Sequence, residues 1–494
     1  MPDTPKLRRP LVLASVMASM FMIAIEATIV STAMPQIAGQ LGDLHLYSWV
    51  FASFLLAQTA TTMVFGKLAD VHGRRPVMLV GIAIFLAGSV LCGLSWSMPS
   101  LVVFRLVQGI GAGAIQPVAL TVVGDLYSVQ ERARIQGWLA SVWGISSVAG
   151  PLVGGVIIGQ AGWAWIFWMN VPIGLLAAAG FWLFLREDVA RERRPVDAAG
   201  ALLLTLAVAG LMVATTDPGS RLSFVALAAG LVFALAFVWQ ERRAADPIMN
   251  LGLWLRRPIA TSNATVLFSG MALIGLTTFL PMYVQAVMGR SALVAGFTLT
   301  VMVFGWPVGA TIAARAFARF GLRACLLFGA VLVPAGAVTF VLLGPNSSPW
   351  FAGAGSFVMG LGMGFLSVSA IVMVQESVGW SERGAATASN VFSRNLGSAL
   401  GAAVLGGVLN VGLARQGGTA AGIDFDGIRR LLEHGGGAGT TAMDGAVRAA
   451  LDGSLHLTFW AVLATAVVTL LLALLVPQVA PRVRVSEEAA APAD

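Results

Sequence analysis

Histidine, cysteine and lysine are almost absent from this chain, and charge of either sign is scarce. It has four histidines (positions 45, 72, 434 and 456), two cysteines and two lysines in 494 residues. With no H-E-x-x-H and no Cys/His cluster, the sequence spaces no ligands for a metal. Cys92 and Cys325 lie far apart inside apolar runs and read as small buried hydrophobes rather than as a bridge. Neither Lys6 nor Lys67 completes G-x-x-x-x-G-K-[ST], which excludes an ATP-binding P-loop. Uphill work must then draw on an ion gradient or a partner, and no cofactor is expected. Charged residues make up 11% of the chain, where a soluble domain carries about a quarter.

What fills the chain is apolar: 57% of residues are hydrophobic, and the mean hydropathy is +0.85. One water-soluble core cannot hide that much apolar surface, so the bilayer is the expected solvent. Fourteen runs are each long enough to cross the membrane as helices: 11–34, 47–69, 77–95, 99–123, 137–158, 166–185, 198–215, 223–240, 259–284, 293–313, 323–343, 350–375, 385–410 and 455–477. The basic run at 1–9 leads into a stretch ending Met34-Pro35-Gln36 with no A-x-A-like cleavage site, so it reads as a first span rather than a signal peptide. With the termini inside, 22 Lys and Arg fall on inner segments and 6 on outer ones, which sets both termini in the cytoplasm. The formal charge of +7 sits in short loops rather than along one stripe, so nucleic acid is not a partner.

A weak repeat relates two loops. Residues 66–75, Gly-Lys-Leu-Ala-Asp-Val-His-Gly-Arg-Arg, join spans 2 and 3; residues 314–323, Ala-Arg-Ala-Phe-Ala-Arg-Phe-Gly-Leu-Arg, join spans 10 and 11 in the same register. This predicts an all-α polytopic protein of two six-helix bundles with two inserted helices. The bundles are 1–185 and 258–477, the insert with its cytoplasmic linkers is 186–257, and 478–494 is a cytoplasmic tail. The Gly-rich outer segment 411–454 is long for a loop; it is either functional, as a docking place for an outer-face partner, or disordered. The chain is otherwise expected to work as a monomer.

Charge at membrane depth is costly, so each case is a functional candidate. Glu26 in span 1 and Arg105 in span 4 lie at similar depth, roughly 11 and 9 Å below the outer helix ends at 1.5 Å per residue. Helical steps from Glu26 meet Ser15, Ser19, Met22 and Ala33; steps from Arg105 meet Gln108, Ala112 and Gln116. Both stripes are therefore expected to face a cavity. Burial and a neighbouring guanidinium pull a carboxyl's proton affinity in opposite directions, so the pair suits proton coupling; a fixed ion pair or a direct substrate contact stays open. Arg394 in span 13 has a small, polar stripe that lines the cavity or bonds neighbouring carbonyls. Gln58 lies near mid-membrane as a substrate contact or an interhelical hydrogen bond. Asp70, Arg74, Arg75 and Asp125 sit on the cytoplasmic rim, as a latch or as ordinary loop charge.

These stretches carry a family resemblance. Residues 66–75 resemble the major facilitator signature between spans 2 and 3. Arg105-Leu106-Val107-Gln108-Gly109-Ile110-Gly111 resembles the span-4 motif of that superfamily. Gly144 with Gly150-Pro151-Leu152-Val153-Gly154-Gly155 resembles its antiporter motif. Residues 26–35 (from Glu26 to Pro35), residues 165–174 (Trp-Ile-Phe-Trp-Met-Asn-Val-Pro-Ile-Gly) and Arg394-Asn395-Leu396-Gly397 with Gly401 are similar to the 14-span drug/proton antiporters. The resemblance implies gating by Asp70, Arg74 and Asp125, proton linkage at Arg105, and close packing through Gly150, Pro151, Gly154 and Gly155. The chain departs from the pattern in having Glu26 where the family has Asp, and Ala318 where Asp70 would repeat.

The expected function is proton-driven efflux of amphipathic compounds at a bacterial inner membrane, by alternating access and without enzymatic chemistry. Glu26 would carry the proton and Arg105 tune it. The cavity wall would include Gln58, Gln116, Trp143, Met302, Trp306, Asn390 and Arg394. One deep acid favours monovalent or neutral substrates over dications. A lipid, siderophore or other endogenous cargo on the same fold is the alternative, with an uptake symporter or a membrane-embedded enzyme behind it.

Overall fold

A computed structural model of the chain describes residues 9–42, 46–187, 197–216, 221–244, 247–249, 251–415 and 442–478. Most of the loop at 411–454 and nearly all of the tail at 478–494 therefore lie outside the described residues.

The secondary structure is entirely helical among those residues. The first half runs α1 (Arg9–Leu41), α2 (Tyr47–His72), α3 (Arg74–Gly93), α4 (Met98–Leu126), α5 (Val129–Gln160), the single turn α6 (Trp165–Trp168) and α7 (Asn170–Phe184). A pair follows, α8 (Ala198–Thr216) and α9 (Arg221–Glu241), then the short α10 (Leu251–Trp254). The second half has α11 (Arg257–Met282), which runs into a π-turn at Tyr283–Val287, then α12 (Ala292–Val341), α13 (Pro349–Glu376), α14 (Arg383–Arg415) and α15 (Ala442–Leu474). Local chemistry fixes the starts. Ser97 and Ser100 form a capping box at α4, Ser128 and Glu131 form another at α5, and Ser291 and Ser348 cap α12 and α13.

Gly73 separates α2 from α3 with φ 93° and ψ 156°; inside α12, Gly321 adopts φ 79° and ψ 166°, so α12 is two arms joined at a turn of the same shape. The repeated loops of the sequence are thus repeated backbone. Both are followed by an arginine that grips the last helix of its own half: Arg75 Nη2 donates to the Trp182 carbonyl at 2.7 Å, and Arg323 Nη2 to that of Leu474 at 3.3 Å.

Eleven helices among the described residues are long and apolar enough to cross a membrane, the two arms of α12 being counted as one. The expected spans at α5 and α8 include residues outside the described side chains; the described apolar stretch of α8 is Ala199–Leu211. Around the perimeter Leu176 and Leu235 are 73% and 72% exposed, an apolar belt that lipid rather than water covers. The halves meet along two seams, α5 against α12 and α2 against α14. The α8–α9 pair lies over the second seam, since α8 packs on both α2 and α14. Gly210 and Gly230 let these two helices cross in near-backbone contact, because a Cβ on Gly210 would lie 2.6 Å from the Gly230 Cα.

Candidate functional site

The polar residues of α1 and α4 pack closely against neighbouring helices. Ser15 packs under Gly180 of α7, where a Cβ would strike its hydroxyl, and Gly113 fits against Thr61 of α2 in the same way. Ser15 and Ser19 bond backbone carbonyls of their own helix, and deeper polar groups bond one another. Glu26 is 0% exposed and Arg105 2%. Arg105 Nη1 donates to Glu26 Oε1 at 2.6 Å and to Gln108 Oε1 at 2.8 Å, its Nε donates to the Val50 carbonyl at 3.1 Å, and the guanidinium lies 4.3 Å over the Phe54 ring. Asn170, at the start of α7, donates to Glu26 Oε2 at 2.6 Å and to Ser89 Oγ at 3.0 Å. Ser89 also accepts from Gln108 Nε2 at 3.1 Å and donates to the Phe167 carbonyl at 2.9 Å.

Chemically this network tolerates a change of charge. Were Glu26 to take a proton, Arg105 would keep a side-chain carbonyl, a backbone carbonyl and an aromatic face. It would lose its counter-ion but keep those hydrogen bonds, which offset part of the about 3–5 kcal/mol that breaking a buried ion pair costs.

A second set of charges sits at the end of the bundle that holds Arg9 and Leu474, and it ties the two halves together. Arg74 is buried, with Nε on Asp125 Oδ2 at 3.0 Å and Nη2 on Asp70 Oδ1 at 3.1 Å. Across the seam, Arg74 Nη2 donates to the Trp380 carbonyl at 2.9 Å, and its guanidinium stacks 4.0 Å over the Trp380 ring. Asp125 also takes Arg383 Nη1 at 2.8 Å, and Arg132 Nη1 meets Glu376 Oε1 at 2.7 Å. Asp70 accepts the backbone N–H groups of Gly384 and Ala385 at 2.9 and 2.7 Å. A carboxylate of the first half thus caps α14 of the second, where the helix dipole favours negative charge. Gly66 and Gly384 make room for this: a Cβ on Gly384 would lie 2.5 Å from Asp70 Oδ1. Within the first half, Glu187 accepts the N–H groups of Arg74 and Arg75, each at 3.0 Å. Burial pushes its carboxyl above the ordinary carboxylate range, although both N–H groups pull the other way.

A third place is a cavity of about 10 Å³ in the second half, lined by residues that include Ser269, Leu273, Trp306, Met363, Ser367 and Arg394.

The family model of the Major Facilitator Superfamily matches residues 16–402. The chain belongs to the Major Facilitator Superfamily. It is 32% identical over 415 residues to Multidrug transporter protein MdtP of Bacillus subtilis (strain 168), covering 82% of this chain and 76% of that protein. It is 33% identical over 403 residues to Multidrug resistance protein 3 of the same organism, covering 80% and 79%. Among solved structures it is similar to the human organic anion transporter MFSD10 (TETRAN), with a TM-score of 0.63 over 96% of this chain and 100% of that one. At 16% identity that likeness shows the fold alone.

In this facilitator the residues singled out from sequence fall into separate groups. Glu26 and Arg105 meet. Asp70, Arg74 and Asp125 form one cluster, while Arg75 turns aside to Trp182, 4.8 Å under its guanidinium. Trp306 and Arg394 share the cavity, and Met302 is buried on the same helix as Trp306. Asn390 instead donates to Asn263 Oδ1 at 3.2 Å. Gln58 and Gln116 are buried in the first half, and Trp143 is 36% exposed. Gly150 fits against Thr28 of α1, whose hydroxyl donates to the Ser146 carbonyl at 2.9 Å. Gly154 is buried, and the packing expected of Pro151 and Gly155 lies outside the described side chains. Sequence reasoning missed Arg383, Glu376, Trp380 and Glu187 as partners in this charge cluster, since each reads as one more rim residue. It missed Ser89 too, and it quoted Asn170 only within a motif.

Proposed function

We propose that this facilitator exports amphipathic compounds in exchange for protons, by alternating access through fourteen spans, with its termini in the cytoplasm of a bacterium and its body in the inner membrane. Counting the α12 arms separately and adding α5 and α8 to the apolar helices gives fourteen, and the 22-to-6 arginine and lysine asymmetry favours this orientation. The names of the two Bacillus relatives favour drugs as cargo. The observation that carries the reading is the Glu26 carboxylate, fully buried and bonded by Arg105 and Asn170, with Arg105 holding further hydrogen bonds to Gln108 and the Val50 carbonyl. In this reading Glu26 carries the proton and Arg105 tunes its release. Asp70, Arg74 and Asp125, with Arg383, Arg132 and Glu376, hold the cytoplasmic end shut. Trp306 and Arg394 belong to the substrate path, which extends to Gln58, Gln116, Trp143, Met302 and Asn390 as the seams open.

The test uses proteoliposomes with an imposed pH gradient and a panel of cationic, neutral and anionic amphipathic dyes. Native protein should move at least one dye uphill with measurable proton counterflow, and Glu26→Gln should lose the counterflow. Dye movement indifferent to the gradient, or an unchanged Glu26→Gln variant, would overturn the coupling.

A further inference from the structure

Arg394 lies in α14, 11 residues beyond Arg383, hence roughly 16 Å along the helix and deep in the apolar span. Each buried arginine described above is answered by a carboxylate, Arg105 by Glu26, Arg74 by Asp70 and Asp125, Arg132 by Glu376, whereas Arg394 is half-buried. The Arg394 guanidinium makes no ion pair and no hydrogen bond to any described residue. An unanswered arginine at that depth costs about 2.5–3.5 kcal/mol or more. The sequence nevertheless places it beside a cavity, on a helix brought close by Gly270, where a Cβ would lie 2.6 Å from the Arg394 carbonyl.

The rest of the lining repeats the imbalance. The Ser367 hydroxyl and the Trp306 indole N–H also donate to no described residue, and no lining residue is acidic. Three residues with free donors, one of them cationic, are thus among the lining, and Leu273 and Met363 supply apolar walls. Resting on the export reading above, we infer that this cavity seats the anionic head group, a carboxylate or sulfonate, of an amphipathic substrate. A guanidinium offers such a group a bidentate fork, and Ser367 and Trp306 supply further hydrogen bonds. At about 10 Å³ the cavity takes little more than one water-sized group, so the apolar tail must lie along the seam once it opens. This assignment differs from the preference expected from one deep acid, because it is the unspent cation rather than the paired carboxylate that meets the cargo.

Dansyl-glycine, dansyl-glycinamide and dansyl-ethylenediamine share one fluorophore and differ in head-group charge. Each would be followed in phosphatidylcholine proteoliposomes by uptake and by Trp-to-dansyl energy transfer. Dansyl-glycine should half-saturate at a concentration at least about tenfold below the amide, a clear discrimination between near-identical ligands. In Arg394→Gln that ratio should fall to about one, and Arg394→Lys should keep part of it. Ser367→Asp gives Arg394 an internal counter-ion; it should elute as folded protein and also lose the ratio, which separates the anion seat from a folding defect. No preference for the glycine compound in native protein, or a ratio that survives both Arg394→Gln and Ser367→Asp, overturns the inference. Uphill movement of all three without preference would leave export standing and the seat refuted. Preferential binding without uphill movement would do the reverse. If added phosphatidylglycerol displaces dansyl-glycine, the seat belongs to a lipid phosphate and the small-molecule assignment falls.

Discussion

Glu26 takes one hydrogen bond on each carboxylate oxygen, and only one of the two donors is charged. Asn170 therefore decides how firmly Oε2 is held, at 2.6 Å, while its second contact at 3.0 Å links the acid to Ser89 and so to α3. Asn170→Ala removes both contacts and should cost about 1.5–3 kcal/mol, the usual worth of a hydrogen bond to a charged group. A lowered thermal unfolding midpoint in detergent would show it, and an unchanged midpoint would mean that Arg105 alone positions the acid. How much of this was readable follows from the residue types. A carboxylate and a guanidinium at matching depth announce themselves in an apolar sequence, and helical counting brought them level. Asn170 and Ser89 give no such signal, since one small polar residue in a membrane helix is common and its partners lie on other helices. Counting faces also could not show that Ser15 meets Gly180 of α7, because that contact depends on a glycine across the interface.

The loops after α2 and in the middle of α12 show what an element inherits from a repeat and what it does not. Gly73 and Gly321 share a left-handed turn that only glycine adopts without strain. Their surroundings differ. A Cβ at Gly73 would lie 2.8 Å from Glu187 Oε2, the carboxylate capping α3, whereas nothing lies within 4 Å of the corresponding point at Gly321. Gly321→Ala should cost only the backbone strain, about 1–2 kcal/mol. Gly73→Ala should cost that and about 1 kcal/mol more for the disturbed cap. Thermal unfolding of the two variants side by side would measure the difference, and equal losses would show that Glu187 contributes nothing to α3. The repeat was legible because the loops keep register in sequence. The cap was not, since Glu187 lies 113 positions away from Arg74 along the chain. The number of apolar helices was legible as a list of runs, eleven of which are long, apolar helices among the described residues when the α12 arms count as one.

At the scale of the whole molecule, the charged contacts between halves lie at one end among the described residues, so their sum favours the form closed there. Arg132 and Glu376 make one of these contacts, 2.7 Å apart with side chains 4% and 6% exposed. Salt screens such a pair weakly, and removing one partner leaves a buried charge at a cost of about 3–5 kcal/mol. Opening the gap relieves that cost by admitting water, so Arg132→Ala should move the population toward the form open at this end. A shift of about 1.4 kcal/mol changes the ratio of the two forms tenfold, and the expected cost exceeds it. The reporter is a cysteine at Thr387, a site buried on α14 and bonded to Gln375, in a background lacking Cys92 and Cys325. Its alkylation rate by a membrane-impermeant maleimide should rise at least about tenfold in Arg132→Ala. The exchange of Arg132→Glu with Glu376→Arg rebuilds the attraction across the same seam and should bring the rate back toward its starting value. If both variants label alike, the pair is packing rather than gate, and the closed form rests on Asp125 with Arg383 and on the Asp70 cap of α14.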